Sequence, residues 1–334
     1  SHLLIRRDVK KRVKALAPFL QLKGDPYLVS VPMESGLDRY QEDQHQYWIV
    51  DGYTSSNTYP YASTLPDGQK MRYVRNSVKV IVDAYNGSVH LYVSEPDDPI
   101  IRGWQKVFPK LFQPLESMPT SLRKHLMVPS SLLELQVQQL LRFHVTDARI
   151  FYSGDDVWQV PQELYGTTQI PVAPYHITAQ LKRSLDSEFL LLQPLTPLAR
   201  PNLSGLLAAR SDADHYGELV LMRFPSDVPI FGPEQVQALI NQNPTISQQF
   251  GLWDRAGSQV VQGNLLVVPL GNALLYVEPI YLRARRGGLP TLTRVVVSNG
   301  SRVVMADDLS TGLEVLFQGS ASKDGLVQDL EKVS

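Results

Sequence analysis

Three of the dipeptides that combine glycine with asparagine constrain the fold more than any other feature of the sequence. Asn86-Gly87, Gly271-Asn272 and Asn299-Gly300 are each flanked by apolar residues, many of them β-branched. Glycine and asparagine accept the positive φ angles of tight hairpin turns, and two-residue turns of this kind match the twist of the strands that they join. The sequence therefore predicts three antiparallel hairpins, with turns at 86–87, 271–272 and 299–300.

The side chains of the first hairpin support a definite register. A two-residue loop at 86–87 pairs apolar residues along one face: Ala84 with Val89, Val82 with Leu91 and Val80 with Val93. The same register sets Asp83 opposite His90. Such a pair could orient a catalytic base, but a polar contact between strands is the more ordinary interpretation. In the third hairpin the same rule pairs Val296 with Val303.

The composition excludes several classes of protein. The 334 residues contain no cysteine, which rules out disulfides, thiolate nucleophiles and cysteine-ligated metal centres. A net charge of −1 is not the basic footprint of a nucleic-acid-binding protein. The longest apolar stretch, 265–277, is broken by Pro269 and Gly271 and falls short of the roughly 20 residues needed to cross a bilayer.

Helical and strand patterns alternate along the chain. A helix is predicted to open at Pro233 and to stop before Pro244. Strand patterns run through 27–31, 47–53 and 71–93, the last of which contains the turn at 86–87, and further strands are predicted at 175–182, 187–195 and 217–224. The pattern indicates an α+β fold with mixed or antiparallel sheets and a helical segment between two β-containing lobes. We expect an N-terminal helix and β-rich lobe at 1–100, a mainly helical segment at 101–165, an α+β lobe at 166–312 and a tail at 313–334.

Residues 3–20 predict one amphipathic helix with a basic surface. Ile5, Val9, Val13 and Leu16 recur at helical spacing on one face. Six lysines and arginines between residues 6 and 14 cover the rest. Two interpretations stay open: a helix that lies near anionic lipid, and a surface helix docked on its own domain.

Common catalytic and nucleotide-binding motifs are absent from the sequence. No two histidines are spaced as metal ligands, and Asp212-Ala-Asp214-His215 is interpreted as a turn before a strand. Aspartate pairs at 97–98, 155–156 and 307–308 are more typical of turns than of catalytic carboxylates. We therefore expect no metal, no cofactor and no enzyme. A hydrolase whose site is assembled from distant residues stays open as the alternative.

The segment 54–63 is the strongest candidate for a ligand-binding site. It joins two predicted strands and carries Tyr59 and Tyr61 among small polar residues. Aromatic rings that stack on sugar faces, with polar neighbours that bond the hydroxyls, would form a glycan site. The side chains expected nearby are Trp48, Tyr53, Arg72, Tyr73 and Arg75. The alternative is a proline-containing hairpin loop whose tyrosines pack locally.

Several short sequence segments between about residues 14 and 312 match the sequences of one known protein family. They include Tyr47-Trp-Ile-Val-Asp51-Gly-Tyr-Thr54, Arg75-Asn-Ser-Val-Lys-Val80, Pro96-Asp-Asp-Pro-Ile100, Asn264-Leu-Leu-Val-Val-Pro269 and Leu274-Leu-Tyr-Val-Glu-Pro279. Together they resemble uncharacterised protein family 0182, large bacterial multi-pass membrane proteins without an assigned activity. The resemblance implies about seven transmembrane helices upstream and a soluble domain outside the cytoplasm. It supplies no catalytic residues.

The resemblance and the missing motifs together suggest a non-enzymatic envelope docking or interaction domain. It is expected on the non-cytoplasmic side of the plasma membrane or of an internal bacterial membrane. The expected partners are its own transmembrane helices and the membrane surface, together with an envelope protein or glycan, and not nucleic acid. An envelope hydrolase and an accessory or sensor domain of a transporter stay open as alternatives.

The tail has two interpretations. The segment 313–319 matches a picornaviral protease cleavage site that is used in expression vectors, so the tail could be engineered. The segment 309–317 also predicts a native terminal helix.

Overall fold

The computed structural model describes residues 6–32, 44–62 and 71–318, apart from 167, 182–185, 199, 213–214, 226, 228, 256, 272 and 286. This part of the chain contains eight α-helices and eighteen strands. The strands form sheets in which all but one of the strand pairs are antiparallel. The predicted α+β class is confirmed. The chain divides into two compact units, residues 1–135 with 212–214 and residues 136–211 with 215–334. The lobe boundaries at 100, 165 and 312 stay predictions.

The first unit is built on one six-stranded sheet. Its strands are β1 Gln21–Leu22, β2 Tyr27–Pro32, β3 Gln44–Ser56, β4 Tyr73–Asp83, β5 Val89–Val93 and β6 Phe112–Pro114. They run in the order β1-β3-β4-β5-β6, with β2 also paired to β3. Its helices are α1 Val9–Leu16, α2 Pro99–Val107 and α3 Thr120–Arg123, and α4 Ser130–Phe143 begins in it. The main core contains Val13, Ala17, Leu20, Val50, Val78, Val80, Val82, Leu91, Val93, Ile101 and Phe112.

The hairpin between β4 and β5 is present, but the predicted register was wrong by two residues. Val82 lies opposite Val89. The loop has four residues, 84–87, because the Asp83 N–H donates to the Ser88 carbonyl. The Asp83 carboxylate also accepts hydrogen bonds from two N–H groups of the loop and so stabilises the longer turn. A shift of two residues leaves the two faces unchanged, and the face predicted to be apolar is the one that faces the main core.

The predicted contact between Asp83 and His90 was wrong for the same reason. His90 lies opposite Ile81. The Asp83 carboxylate lies 2.8 Å from Nε2 of His45 instead. Burial by itself would raise the pKa of Asp83, but the loop N–H groups and His45 outweigh it and hold the pKa below its ordinary value. Asp83 therefore stabilises the turn and orients His45.

Helix α1 is shorter than predicted. The Asp8 side chain caps its first turn. The helix ends before Ala17 because the next residue is Pro18, and a residue that precedes proline is disfavoured in helical conformation. Residues 3–5 of the predicted helix lie outside the described part of the chain. Val13 is fully buried, so the apolar face of α1 packs on the main core.

The second unit contains two five-stranded sheets and a two-stranded ribbon. Its strands are β7 Trp158–Gln159, β8 Gln162–Tyr165, β9 Thr168–Pro171, β10 Tyr175–Ala179, β11 Glu188–Pro197, β12 Gly205–Arg210, β13 Leu219–Arg223, β14 Ser258–Gln262, β15 Leu266–Leu270, β16 Ala273–Ala284, β17 Thr291–Ser298 and β18 Val303–Ala306. The sheet orders are β10-β11-β12-β13, with β7 on β11, and β14-β16-β17-β18, with β15 on β16. Its helices are α5 Ala148–Ser153, α6 Pro233–Gln242, α7 Pro244–Arg255 and α8 Leu309–Phe317.

The hairpin at 271–272 has the predicted two-residue loop, since Leu270 lies opposite Ala273. Asn272 itself lies outside the described residues. The central strand β16 pairs with three neighbours, β14, β15 and β17.

The hairpin at 299–300 turns one residue later than predicted. Val303 lies opposite Ser298 and not opposite Val296, so the predicted register was wrong by two residues. The loop is Gly300-Ser301, because the Asn299 N–H donates across the turn. Gly300 has a φ of 88°, which suits the first central position of a two-residue hairpin turn.

Candidate ligand-binding site

The candidate site lies where β3 and β4 lose their regular pairing. Gly52 lies opposite Val78, whereas Thr54 lies opposite Arg75, so the register shifts by one residue between them. Two residues of β4 thus stand against a single residue of β3, and such a bulge re-aims the side chains around it. The hydroxyls of Thr54 and Ser77 lie 3.1 Å apart as a result.

Asp98 is the buried anchor of this region. It is the N-cap of α2 and only 3% exposed. One carboxylate oxygen accepts from the Tyr73 hydroxyl at 2.7 Å and the Ile100 N–H at 3.0 Å. The other accepts from the hydroxyls of Thr54 at 2.5 Å and Ser77 at 2.6 Å. Burial by itself would raise the pKa of Asp98, but these hydrogen bonds outweigh it and hold the pKa below its ordinary value.

Replacing Asp98 by asparagine is expected to lower the free energy of unfolding by about 2 kcal/mol, because an amide has one acceptor oxygen where the carboxylate has two. Asp97→Asn is the matched control, since that side chain is 93% exposed. The pKa of Asp98 is lower in the folded protein than its ordinary value of 3.8, so the stability that the charged carboxylate contributes is fully present above pH 3.8. This contribution is lost as the pH falls through the pKa of the folded protein. Urea unfolding at pH 7 and pH 3 measures both effects. Equal losses in the two variants would contradict the anchor role.

Tyr73 connects the buried Asp98 to the exposed Tyr59. Its hydroxyl is held by Asp98, and burial together with this bond raises the pKa of that hydroxyl. Its ring centroid lies 5.2 Å from that of Tyr59, with 24° between the planes. The guanidinium carbon of Arg75 lies 5.3 Å from the Tyr73 centroid, within cation–π distance. Tyr59 is 47% exposed and Arg75 is also exposed. Tyr59, Tyr73 and Arg75 are called the ring stack below.

The remaining candidate residues are placed differently. Tyr53 is fully buried, and Trp48 is half-buried and packs against the main core. Tyr61 is fully exposed and has a φ of 58°, an uncommon value for tyrosine, while Arg72 is exposed at the start of β4. Residue 63 of the predicted segment lies outside the described part. The structure thus joins Tyr59 to Arg75 through Tyr73 and leaves Trp48 and Tyr53 packed inside the first unit.

A buried ion pair lies on β3 and β4 of the same sheet. The Lys79 side chain is fully buried, and its Nζ lies 2.5 Å from Oδ1 of Asp51, whose side chain is 12% exposed. Nζ also donates to the Met127 carbonyl at 3.3 Å. Lys79 and Asp51 lie directly opposite each other in the strand register. A charge pair this deeply buried stabilises the sheet only while both partners are present.

The second unit buries a carboxylate network of its own. Glu278 has no exposed surface and accepts hydrogen bonds from the side-chain amides of Gln237 at 2.9 Å and Gln262 at 3.3 Å. Glu163, 1% exposed, accepts from the Asn264 amide at 2.7 Å. Burial raises the pKa of Glu278 to about 7, because the two amides offset it only in part and the charge of Glu163 adds to it.

Two of the histidines considered in the sequence make local contacts. The His144 ring stacks on Trp158 at 3.8 Å, and its Nδ1 lies 2.8 Å from the Leu140 carbonyl. His215 lies 3.2 Å from Glu218, and Asp214 of the predicted turn lies outside the described residues. Across the residues that the structure describes, no group of three or more His, Asp or Glu side chains is arranged to hold a metal ion.

Helix α8 packs against β17 and β18, with Leu313 and Leu316 buried.

None of the helices in the described part is both long enough and apolar enough to cross a membrane.

Sequence comparisons place the chain in a family. The model described as "Uncharacterised protein family (UPF0182)" matches residues 1–253. A UPF0182 protein of Synechococcus sp. (strain CC9311) is 89% identical over 334 residues, which is 100% of this chain and 36% of that protein. A UPF0182 protein of Prochlorococcus marinus (strain MIT 9303) is 73% identical over 323 residues, which is 97% of this chain and 34% of that protein. The chain therefore spans about a third of the length of these relatives. No solved structure matches it. The chain belongs to the UPF0182 family, as its strings of residues indicated.

Proposed function

We propose that this chain is a non-enzymatic docking domain on the non-cytoplasmic side of a bacterial membrane, plasma or internal, and that its ring stack binds an envelope glycan. The ring stack is the observation that supports this proposal. Tyr59 offers an exposed aromatic face, and Tyr73 behind it is held by Asp98. A rigid aromatic ring contributes contact area at low entropic cost, and Arg75 adds donors for sugar hydroxyls.

The state of Asp98 favours binding over hydrolysis. A glycosidase needs one carboxyl that protonates the leaving group and a second that attacks the sugar or activates water. Asp98 is buried, and each of its oxygens already accepts two hydrogen bonds. It therefore fixes the orientation of Tyr73 and is not available to attack a substrate.

The length of the relatives supports a role inside a larger protein. This chain covers 36% of the Synechococcus protein and 34% of the Prochlorococcus protein. The family resemblance implies about seven transmembrane helices, and we propose that they lie in the remainder of the larger protein. Those helices, the membrane surface and an envelope protein are the other partners of the proposed docking domain.

Glycan binding is tested by calorimetric titration with chitotetraose, cellotetraose and a soluble peptidoglycan fragment. At least one probe is expected to bind, and Tyr59→Ala is expected to weaken that binding about 10-fold through loss of the stacking face. Tyr152→Ala, at a side chain that is 84% exposed in the second unit, is the matched control and should bind as the parent does. Equal affinity of the two variants, or no binding by any probe, would exclude the site. Release of new reducing ends would favour the hydrolase instead.

A further inference from the structure

The C-terminal ends of α1 and α2 meet at a second aromatic cluster, formed by Phe19, Trp104 and Phe108. The Phe19 centroid lies 4.0 Å from that of Trp104, with 14° between the planes, and 6.1 Å from that of Phe108. Phe19 and Trp104 also pack against the main core. These contacts fix the two helix ends to each other and to the sheet.

Three apolar side chains protrude at these helix ends. Leu16, Val107 and Phe108 are 43%, 60% and 44% exposed. Leu16 is the last residue of α1, Val107 is the last residue of α2, and Phe108 is the C-cap of α2. The three residues are called the apolar edge below. The ring contact between Phe19 and Phe108 brings the ends of α1 and α2 together, and exposed apolar side chains that lie close to one another are typical of an interaction site.

The segments that carry the apolar edge are strongly basic. Residues 6–14 contain six lysines and arginines and one acidic residue, and residues 102–110 contain three basic residues and no acidic one. The whole chain has a net charge of only −1. Within the described residues, the ion pairs of these segments are Lys10 with Asp25 and Arg102 with Asp97. The region therefore keeps a net positive charge and is complementary to an anionic partner.

We propose that the apolar edge docks on an anionic lipid surface. Leu16, Val107 and Phe108 enter the headgroup region, and the surrounding lysines and arginines pair with lipid phosphates. The basic charge selects an anionic partner, and the exposed aliphatic side chains select one with a hydrocarbon layer. A nucleic acid would engage the basic residues through its phosphates and would leave these aliphatic side chains without a partner. This proposal rests on the membrane-surface part of the proposed function and names the residues that make the contact. The apolar edge shares no residue with the ring stack, so loss of lipid binding and loss of glycan binding are separate results.

Vesicle co-sedimentation of the 334-residue chain tests the proposal. We expect binding to vesicles of phosphatidylcholine with one quarter phosphatidylglycerol, and at least 10-fold weaker binding to phosphatidylcholine alone or at 0.5 M NaCl. Val107→Ser is expected to weaken binding about 5-fold, and it leaves the aromatic rings in place. Lys106→Glu with Lys110→Glu is expected to weaken binding more than 10-fold. Circular dichroism of each variant confirms that it is folded.

Matched controls lie in the second unit. Leu289→Ser removes an apolar side chain that is 90% exposed, and Arg149→Glu with Arg255→Glu reverses two exposed charges; both variants should bind as the parent does. Equal binding to both kinds of vesicle, or no binding, would overturn the proposal. A third result would also overturn the proposal: vesicle binding that needs the lysines but not Val107, with equal affinity for double-stranded DNA. That result indicates a general polyanion site.

Discussion

Replacing Asp51 by alanine is expected to lower the free energy of unfolding of the first unit by about 3–5 kcal/mol, which is the usual cost of removing one partner of a buried ion pair. The variant leaves the fully buried Lys79 ammonium without this carboxylate, in an interior where transfer of a charge from water is costly. The Met127 carbonyl, at 3.3 Å, cannot neutralise the charge. Urea-induced unfolding at pH 7 measures the loss.

A double variant separates the charge effect from the loss of packing. Asp51→Ala combined with Lys79→Met removes both charges and keeps an unbranched apolar chain in the core, so most of the lost stability should return. Asp25→Ala is the matched control, because its side chain is 98% exposed and pairs with Lys10 at the surface; it should cost less than about 1 kcal/mol. A loss below about 1 kcal/mol for Asp51→Ala would show that the pair contributes no more than an exposed ion pair does.

Glu278 should make the second unit less stable as the pH rises from 4.5 to about 7. Its pKa is about 7 in the folded protein and 4.5 in the unfolded chain, so the folded state binds the extra proton between these values. Stability contributed by the protonated carboxyl is complete below pH 4.5 and is lost as the pH rises towards 7, by roughly 3 kcal/mol in total. Above pH 7 this contribution changes no further.

Glu278→Gln removes the titrating group and keeps the shape of the side chain. The variant should lose this part of the pH dependence between pH 4.5 and 7 and should be more stable relative to the parent at pH 8 than at pH 5. Gln262 can flip its amide to accommodate the new donor. Glu314→Gln, at an exposed position on α8, is the control and should follow the parent. Parallel stability curves for the parent and Glu278→Gln, measured by urea unfolding, would contradict the raised pKa.

Turn dipeptides located all three hairpins but fixed the register of only one. The loop at 271–272 contains just the two residues of the dipeptide. At the other two turns, side-chain hydrogen bonds changed the loop. The Asp83 carboxylate, just before the first dipeptide, accepts from two loop N–H groups, and the side chain of Asn299, within its own dipeptide, accepts from the Arg302 N–H. These bonds depend on three-dimensional geometry that a dipeptide rule does not contain. In the first hairpin the apolar face was still predicted correctly, because a shift of two residues preserves side-chain alternation.

Strand β12 was missed because its composition favours a different structure. The segment Gly205–Arg210 is rich in leucine and alanine, which are good helix formers, and it lacks alternation. It forms a central strand because β11 and β13 pair with its two edges and five of its six residues are buried. Tertiary burial thus overrode local preference.

Only some of the residues that the sequence grouped with the segment 54–63 lie together in the structure. Tyr59 and Arg75 are exposed, and Tyr73, which was expected nearby, stacks on Tyr59. The role of Asp98 was missed, although proline after aspartate is a signal for a helix N-cap. Its contact with Tyr73 spans 25 residues of sequence and results from the bulge between β3 and β4, which no local pattern indicated.

Amide hydrogen exchange with mass spectrometry tests whether the ring stack binds an envelope glycan. The parent chain and Tyr59→Ala would each be measured with and without the oligosaccharide that binds best. We expect slower exchange at residues 54–62 and 71–76 of the parent, with no such protection in Tyr59→Ala. Protection that lies elsewhere, or that persists in Tyr59→Ala, would contradict it.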